Sequence, residues 1–113
     1  MRYSALGTNY VIRLDAGEKV VESLLYLCER EGIGSGFFNG LGAAGEAELG
    51  HFDPSSNDYY GKPFIHAHAA LGDKTFAVRG GHLREAVVSV TCEVTLTRFR
   101  DDIGRKKDEA KGT

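Results

Sequence analysis

The chain has no tryptophan, one methionine, two prolines and two cysteines, and each shortage narrows what it can be. Cys28 and Cys92 lie far apart and within apolar patterns, so they read as reduced core thiols of a cytoplasmic protein rather than a disulfide framework. No apolar run approaches the ~20 residues that span a bilayer. The segment Met1 to Asn9 lacks the apolar stretch of a signal peptide. Charge is balanced at a formal −2, which leaves no strong electrostatic footprint for nucleic acid or an anionic membrane. With so few prolines, the 15 glycines point to tight turns joining short strands.

What is present suits one modest core. The 113 residues are 42% hydrophobic and include six Phe and five Tyr, enough for a single small domain that would gain from oligomerisation. Tyr10 to Leu14 reads as a strand. Asp15 and Glu18 have the spacing of a capping box. Val20, Val21, Leu24, Leu25, Leu27 and Cys28 then mark an amphipathic helix that Gly32 ends. Phe37 to Asn39 and Glu46 to Phe52 read as two strands, with a loop over Asp53 to Asn57. Phe64 to Leu71 and Thr75 to Arg79 are two more, parted by a turn at Gly72-Asp73. The longest strand is expected over Val87 to Phe99, with Val88, Val90, Cys92, Val94 and Leu96 on its buried face. From Asp101 the sequence has almost no apolar content, so a domain over 1–100 is followed by a solvated tail over 101–113. The expected fold is α+β, a mainly antiparallel sheet with one long helix packed on it.

Two motifs invite a functional reading. Gly40-Leu-Gly-Ala-Ala-Gly45 matches the glycine string of dinucleotide-binding folds. That string needs a helix opening at its third glycine, whereas a strand pattern follows here. It is therefore expected to be a glycine-rich strand connection or bulge.

Phe64-Ile-His-Ala-His-Ala-Ala70 carries more information. Residues two apart on a strand share a face, so His66 and His68 project together. A hairpin return through Gly72-Asp73 would bring Gly80-Gly-His82 back beside them. Three imidazoles from two segments suit Zn, Ni, Cu or Fe(II) and leave one coordination position open. The competing reading is that the three histidines face solvent or pack, with no metal. His51 is expected to be a surface or packing residue. Glu93 is a candidate to orient a histidine N–H, against the plainer reading of an exposed strand carboxylate. Arg98, Arg100, Arg105, Lys106 and Lys107 alternate with acids, so they read as solvated charge and not as a nucleic-acid arm.

Several segments occur in order: Tyr10-Val-Ile-Arg-Leu-Asp-Ala-Gly-Glu18, Gly40-Leu-Gly-Ala43, Leu49-Gly-His-Phe-Asp53, Lys62-Pro-Phe-Ile-His-Ala-His68, Gly80-Gly-His-Leu83 and Thr91-Cys-Glu-Val94. Together they resemble the plants-and-prokaryotes-conserved domain, long a domain of unknown function, from roughly Tyr10 to Phe99. The resemblance implies a sheet-rich homotrimer with His66, His68 and His82 as metal ligands, zinc first among the metals. It also implies a DNA-associated or regulatory setting, since plant members follow AT-hook segments and free-standing prokaryotic members carry a DNA-binding assignment without a settled activity. No Arg-Gly-Arg-Pro AT-hook core occurs in this chain.

The chain departs from the family pattern where Asn57-Asp-Tyr-Tyr60 runs directly into Gly61-Lys-Pro-Phe64, and it reads as shortened by about one strand. Loss of a strand would push neighbouring backbone to re-pair within the sheet or across a subunit boundary. The alternative function is a metal-dependent enzyme using the open position, with Glu93, then Asn39 or Glu85, as acid–base partner.

Overall fold

A computed structural model describes residues 1–50 and 65–100. His51, the loop over 53–57, the departure at 57–64 and the tail over 101–113 lie outside the described residues. The elements are β1 (Arg2–Leu6), β2 (Asn9–Asp15), α1 (Val20–Glu31), β3 (Gly36–Gly50), β4 (His68–Gly72) and β5 (Val78–Arg98). They form an antiparallel sheet of order β1-β2-β5-β3, with β4 also paired to β5. The expected α+β class therefore holds.

Strand β5 organises everything else. One of its sides carries β3 along most of its length; the other carries β2 at residues 91–97 and β4 at residues 78–82. Alternation then sorts the side chains. Tyr10, Ile12 and Leu14 of β2 and Val88, Val94 and Leu96 of β5 turn to one face, where Leu24 and Leu27 of α1 cover them. Fully burying each of those leucines stabilises the fold by about 1.5–3 kcal/mol. Among the described residues no helix is long and apolar enough to cross a membrane.

Several elements differ from the expectation. β1 was not expected; its hairpin with β2 turns on Gly7, whose φ of 63° suits glycine. The two strands expected at 37–39 and 46–52 are one strand, β3, which passes straight through the glycine string. Register shifts occur between Gly42 and Ala44 and between Ala44 and Glu46, so the string is the bulged segment of a strand. A Cβ on Gly42 would lie 2.6 Å from Cys92 Cα, which shows how closely the backbones approach. Likewise β5 starts at Val78, so Gly80 and Gly81 lie inside it. Val90 is 65% exposed rather than buried.

The helix also begins later than the capping box suggests. Glu18 does accept the Asp15 N–H at 2.9 Å, but the helix N-cap is Lys19, which has no side-chain cap. Glu85 of β5 takes that role, accepting the Val21 N–H at 2.7 Å and the Glu22 N–H at 3.1 Å. At the other end Gly32 adopts the left-handed conformation, and Ile33 N–H bonds to Cys28 carbonyl at 2.8 Å.

The turn joining β4 to β5 is tightly knit. Asp73 Oδ1 accepts from Thr75 N–H at 2.8 Å, the Thr75 hydroxyl at 2.6 Å and Ala77 N–H at 3.2 Å. These donors, the Thr75 hydroxyl first, hold the Asp73 carboxyl below its ordinary range. Phe76 at the tip is 93% exposed and has φ of 66°, an unusual conformation for a bulky residue.

Candidate metal centre

The β4–β5 register places His68 directly opposite His82, with Ala69 opposite Gly81 and Ala70 opposite Gly80. Leu83 N–H donates to Ala67 carbonyl at 2.8 Å, extending the pairing just before β4. His66 precedes the strand but stays on the same side as His68. Ring centroids are 5.2 Å apart for His66 and His68, 5.1 Å for His66 and His82, and 5.9 Å for His68 and His82.

Burial separates the three rings. His82 also pairs with Gly50 of β3, so it sits between two neighbouring strands and is only 8% exposed. His66 and His68 are exposed. The glycines before His82 permit this crowding, because a Cβ on Gly81 would lie 3.1 Å from the Gly50 carbonyl oxygen.

The nitrogen atoms fit a metal ion. One ring nitrogen from each histidine falls within 4.8 Å of the other two, and among the described residues these three form the one such cluster. His66 Nε2 and His68 Nε2 are 3.3 Å apart. Zn–N bonds of about 2.0–2.1 Å place tetrahedral donors roughly 3.3 Å apart, so the pair already has the required spacing. Among the described residues His82 Nδ1 is buried with no hydrogen-bond partner. A buried polar nitrogen without a partner is costly, and three imidazoles whose ring nitrogens converge this closely are a chemically suitable ligand set.

Neither carboxylate candidate joins the three imidazoles, and Asn39 lines a cavity shared with His66 and His68. Glu93 lies far along β5 from His82 at roughly 3.3 Å per residue; it is exposed, between Arg13 of β2 and Leu41 of β3. The Glu85 carboxylate is spent on the α1 amides. Asn39 belongs to β3 and lies opposite Thr95. No carboxylate joins the three imidazoles among the described residues.

A groove that sequence reasoning missed adjoins the centre. It measures about 570 Å³ and is lined by His66 and His68 at one side and by Phe38, Leu41, Leu71 and Leu83 among others. The alternation of each strand hinted at these apolar residues, but only the packing of β3, β4 and β5 joins them into one concave wall.

Comparison with known proteins gives a consistent result. The family model described as the Plants and Prokaryotes Conserved (PCC) domain matches in two overlapping segments, residues 1–61 and 54–100. The overlap falls where the sequence reads as shortened. A search of the curated proteins finds no match. Among solved structures, a "putative DNA-binding protein" from Ralstonia eutropha is 29% identical with a TM-score of 0.86, covering 98% of this chain and 92% of that one. A plant- and prokaryote-conserved protein from Pyrococcus horikoshii is 27% identical with a TM-score of 0.74, covering 96% and 90%. A metal-containing protein from Archaeoglobus fulgidus is 26% identical with a TM-score of 0.77, covering 99% and 95%.

Proposed function

The chain belongs to the Plants and Prokaryotes Conserved domain family, and we propose that it is a small metal-holding module that assembles as a homotrimer in a DNA-associated or regulatory setting. The observation that carries the metal is the cluster itself. Buried His82, whose Nδ1 has no hydrogen-bond partner among the described residues, offers a ring nitrogen within 4.8 Å of those of His66 and His68, whose Nε2 atoms are 3.3 Å apart. His66, His68 and His82 would hold the ion. Three imidazoles with one position left open suit zinc, as they do Ni, Cu or Fe(II), and zinc is the first candidate by the family resemblance. The metal-containing relative from Archaeoglobus fulgidus supports the same reading. When bound, the ion supplies a Lewis-acidic position open to one exogenous donor. The catalytic alternative would need an acid–base group at the centre, and neither Glu85 nor Glu93 is placed to serve.

Assembly is supported by the surface. Phe76 is 93% exposed, Val78 is exposed too, and the outer edge of β3 has no strand partner among the described residues. Such features call for covering by another chain. The DNA-associated setting rests on the Ralstonia eutropha relative described as a putative DNA-binding protein. With a net charge of −2, contact with DNA would depend on partners more than on a basic face of this chain. A cytoplasmic location suits the two free thiols.

Metal analysis of untagged protein, joined to its mass in solution, tests the centre and the assembly together. One divalent ion per chain and a mass of three chains are expected. His82→Ala should abolish metal retention; unchanged metal content in that variant refutes the site. Salt-insensitive behaviour in a duplex mobility-shift titration, with no retention at low salt, would remove direct DNA binding from the proposal.

A further inference from the structure

Resting on the metal reading above, we propose that the histidine centre and its groove form a binding site for small carboxylates that carry an apolar body. Charge sets the head of the ligand. Three neutral imidazoles bring no negative charge, so a divalent ion held by them keeps its full double charge. Among the described residues no Asp, Glu, Lys or Arg lines the groove. An anionic oxygen donor at the open position therefore meets a cation that no described side chain compensates, while an ammonium group meets repulsion.

The walls set the rest of the ligand. Phe38 and Leu41 come from β3, Ala69 and Leu71 from β4, and Leu83 and Val88 from β5, giving a mainly apolar trough that also takes in His66, His68 and Asn39. Its volume of about 570 Å³ falls within the size of small-molecule sites, which pair apolar walls with a few polar anchors. A hydrophilic dicarboxylate would leave its second charge against these walls unpaired, which is costly. A monocarboxylate with a short alkyl or aryl body satisfies both ends.

The test uses untagged full-length protein loaded with Co(II), whose visible ligand-field bands report the coordination shell. Acetate, butanoate and hexanoate are titrated in turn, with hexylamine as the cationic counterpart. Carboxylates are expected to shift the bands, with affinity rising about fourfold for each methylene that enters the groove. Leu71→Ser should weaken hexanoate several-fold while leaving cobalt retention and acetate affinity unchanged. Bands that no carboxylate moves, in protein that does hold cobalt, overturn this inference but leave the metal centre standing. Equal affinity for acetate and hexanoate overturns the role of the apolar walls, and hexylamine binding as well as hexanoate overturns the charge argument. Wild-type protein that retains no cobalt defeats the metal reading and this one with it.

Discussion

Replacing Gly42 by alanine tests how closely β3 lies on β5. A Cβ at Gly42 would fall 2.6 Å from Cys92 Cα, 2.6 Å from the Thr91 carbonyl oxygen and 2.7 Å from Cys92 Cβ. Two of these are backbone atoms, so no side-chain rotation relieves the overlap, and the strands must separate. Overpacking of this kind costs about 1–3 kcal/mol. Alanine recovers about 0.5–1 kcal/mol because glycine loses more freedom when it joins a strand. These ranges leave a net loss of about 0–2.5 kcal/mol. Because two backbone atoms are met at once the upper half is expected, lowering Tm by roughly 4–8 °C per kcal/mol for a domain near this size. Gly45 supplies the control. Its nearest neighbour to an added Cβ is Ser89 Cβ at 3.5 Å, an ordinary contact, so Gly45→Ala should hold or raise stability. Urea unfolding followed by circular dichroism at fixed protein concentration measures both. Gly42→Ala as stable as wild type, or a Gly45→Ala loss of equal size, would refute the close-approach argument.

Phe76→Gly removes a bulky side chain from left-handed backbone where it has little contact, so a lone chain should gain about 1 kcal/mol in urea unfolding; a loss instead would mean that Phe76 is gripped by another chain. Glu85→Gln leaves an acceptor at the α1 amides but removes the charge, and should cost about 0.5–1 kcal/mol by the same measurement. The pH dependence turns on Glu18, whose carboxyl is held low first by the Met1 ammonium, at 2.6 Å, and then by the Asp15 N–H. A lowered folded-state value stabilises fully above the ordinary carboxylate range near pH 4 and fades as pH falls through the folded value. The stability gap between wild type and Glu18→Gln should therefore be constant near neutrality and close on acidification; a gap that persists at the acid end contradicts this. Burial raises the Cys28 thiol, and burial followed by nearby Glu93 raises Cys92, so both should react slowly with a neutral-pH disulfide reagent until urea exposes them.

The sequence by itself determined whatever depends on neighbours along the chain. Alternation in Tyr10 to Leu14 and from Val88 to Leu96, the 3.6 period of Val20 to Cys28 and the stop at Gly32 are local signals, and β2, β5 and α1 follow them. The pairing of His66 with His68 is equally local, because a period of two leaves one choice of face. Tertiary structure decided what depends on neighbours in space. It merged two expected strands into β3, since long pairing with β5 outweighs the weak strand preference of glycine. It gave the helix start to Glu85, a residue more than fifty positions away, instead of to the nearby capping box. It made His82 unlike its two companions: β3 on one side and β4 on the other bury that ring, and Nδ1 has no partner among the described residues. Spacing could propose three histidines together, but only the packing of two strands around a third could bury one of them beside the other two.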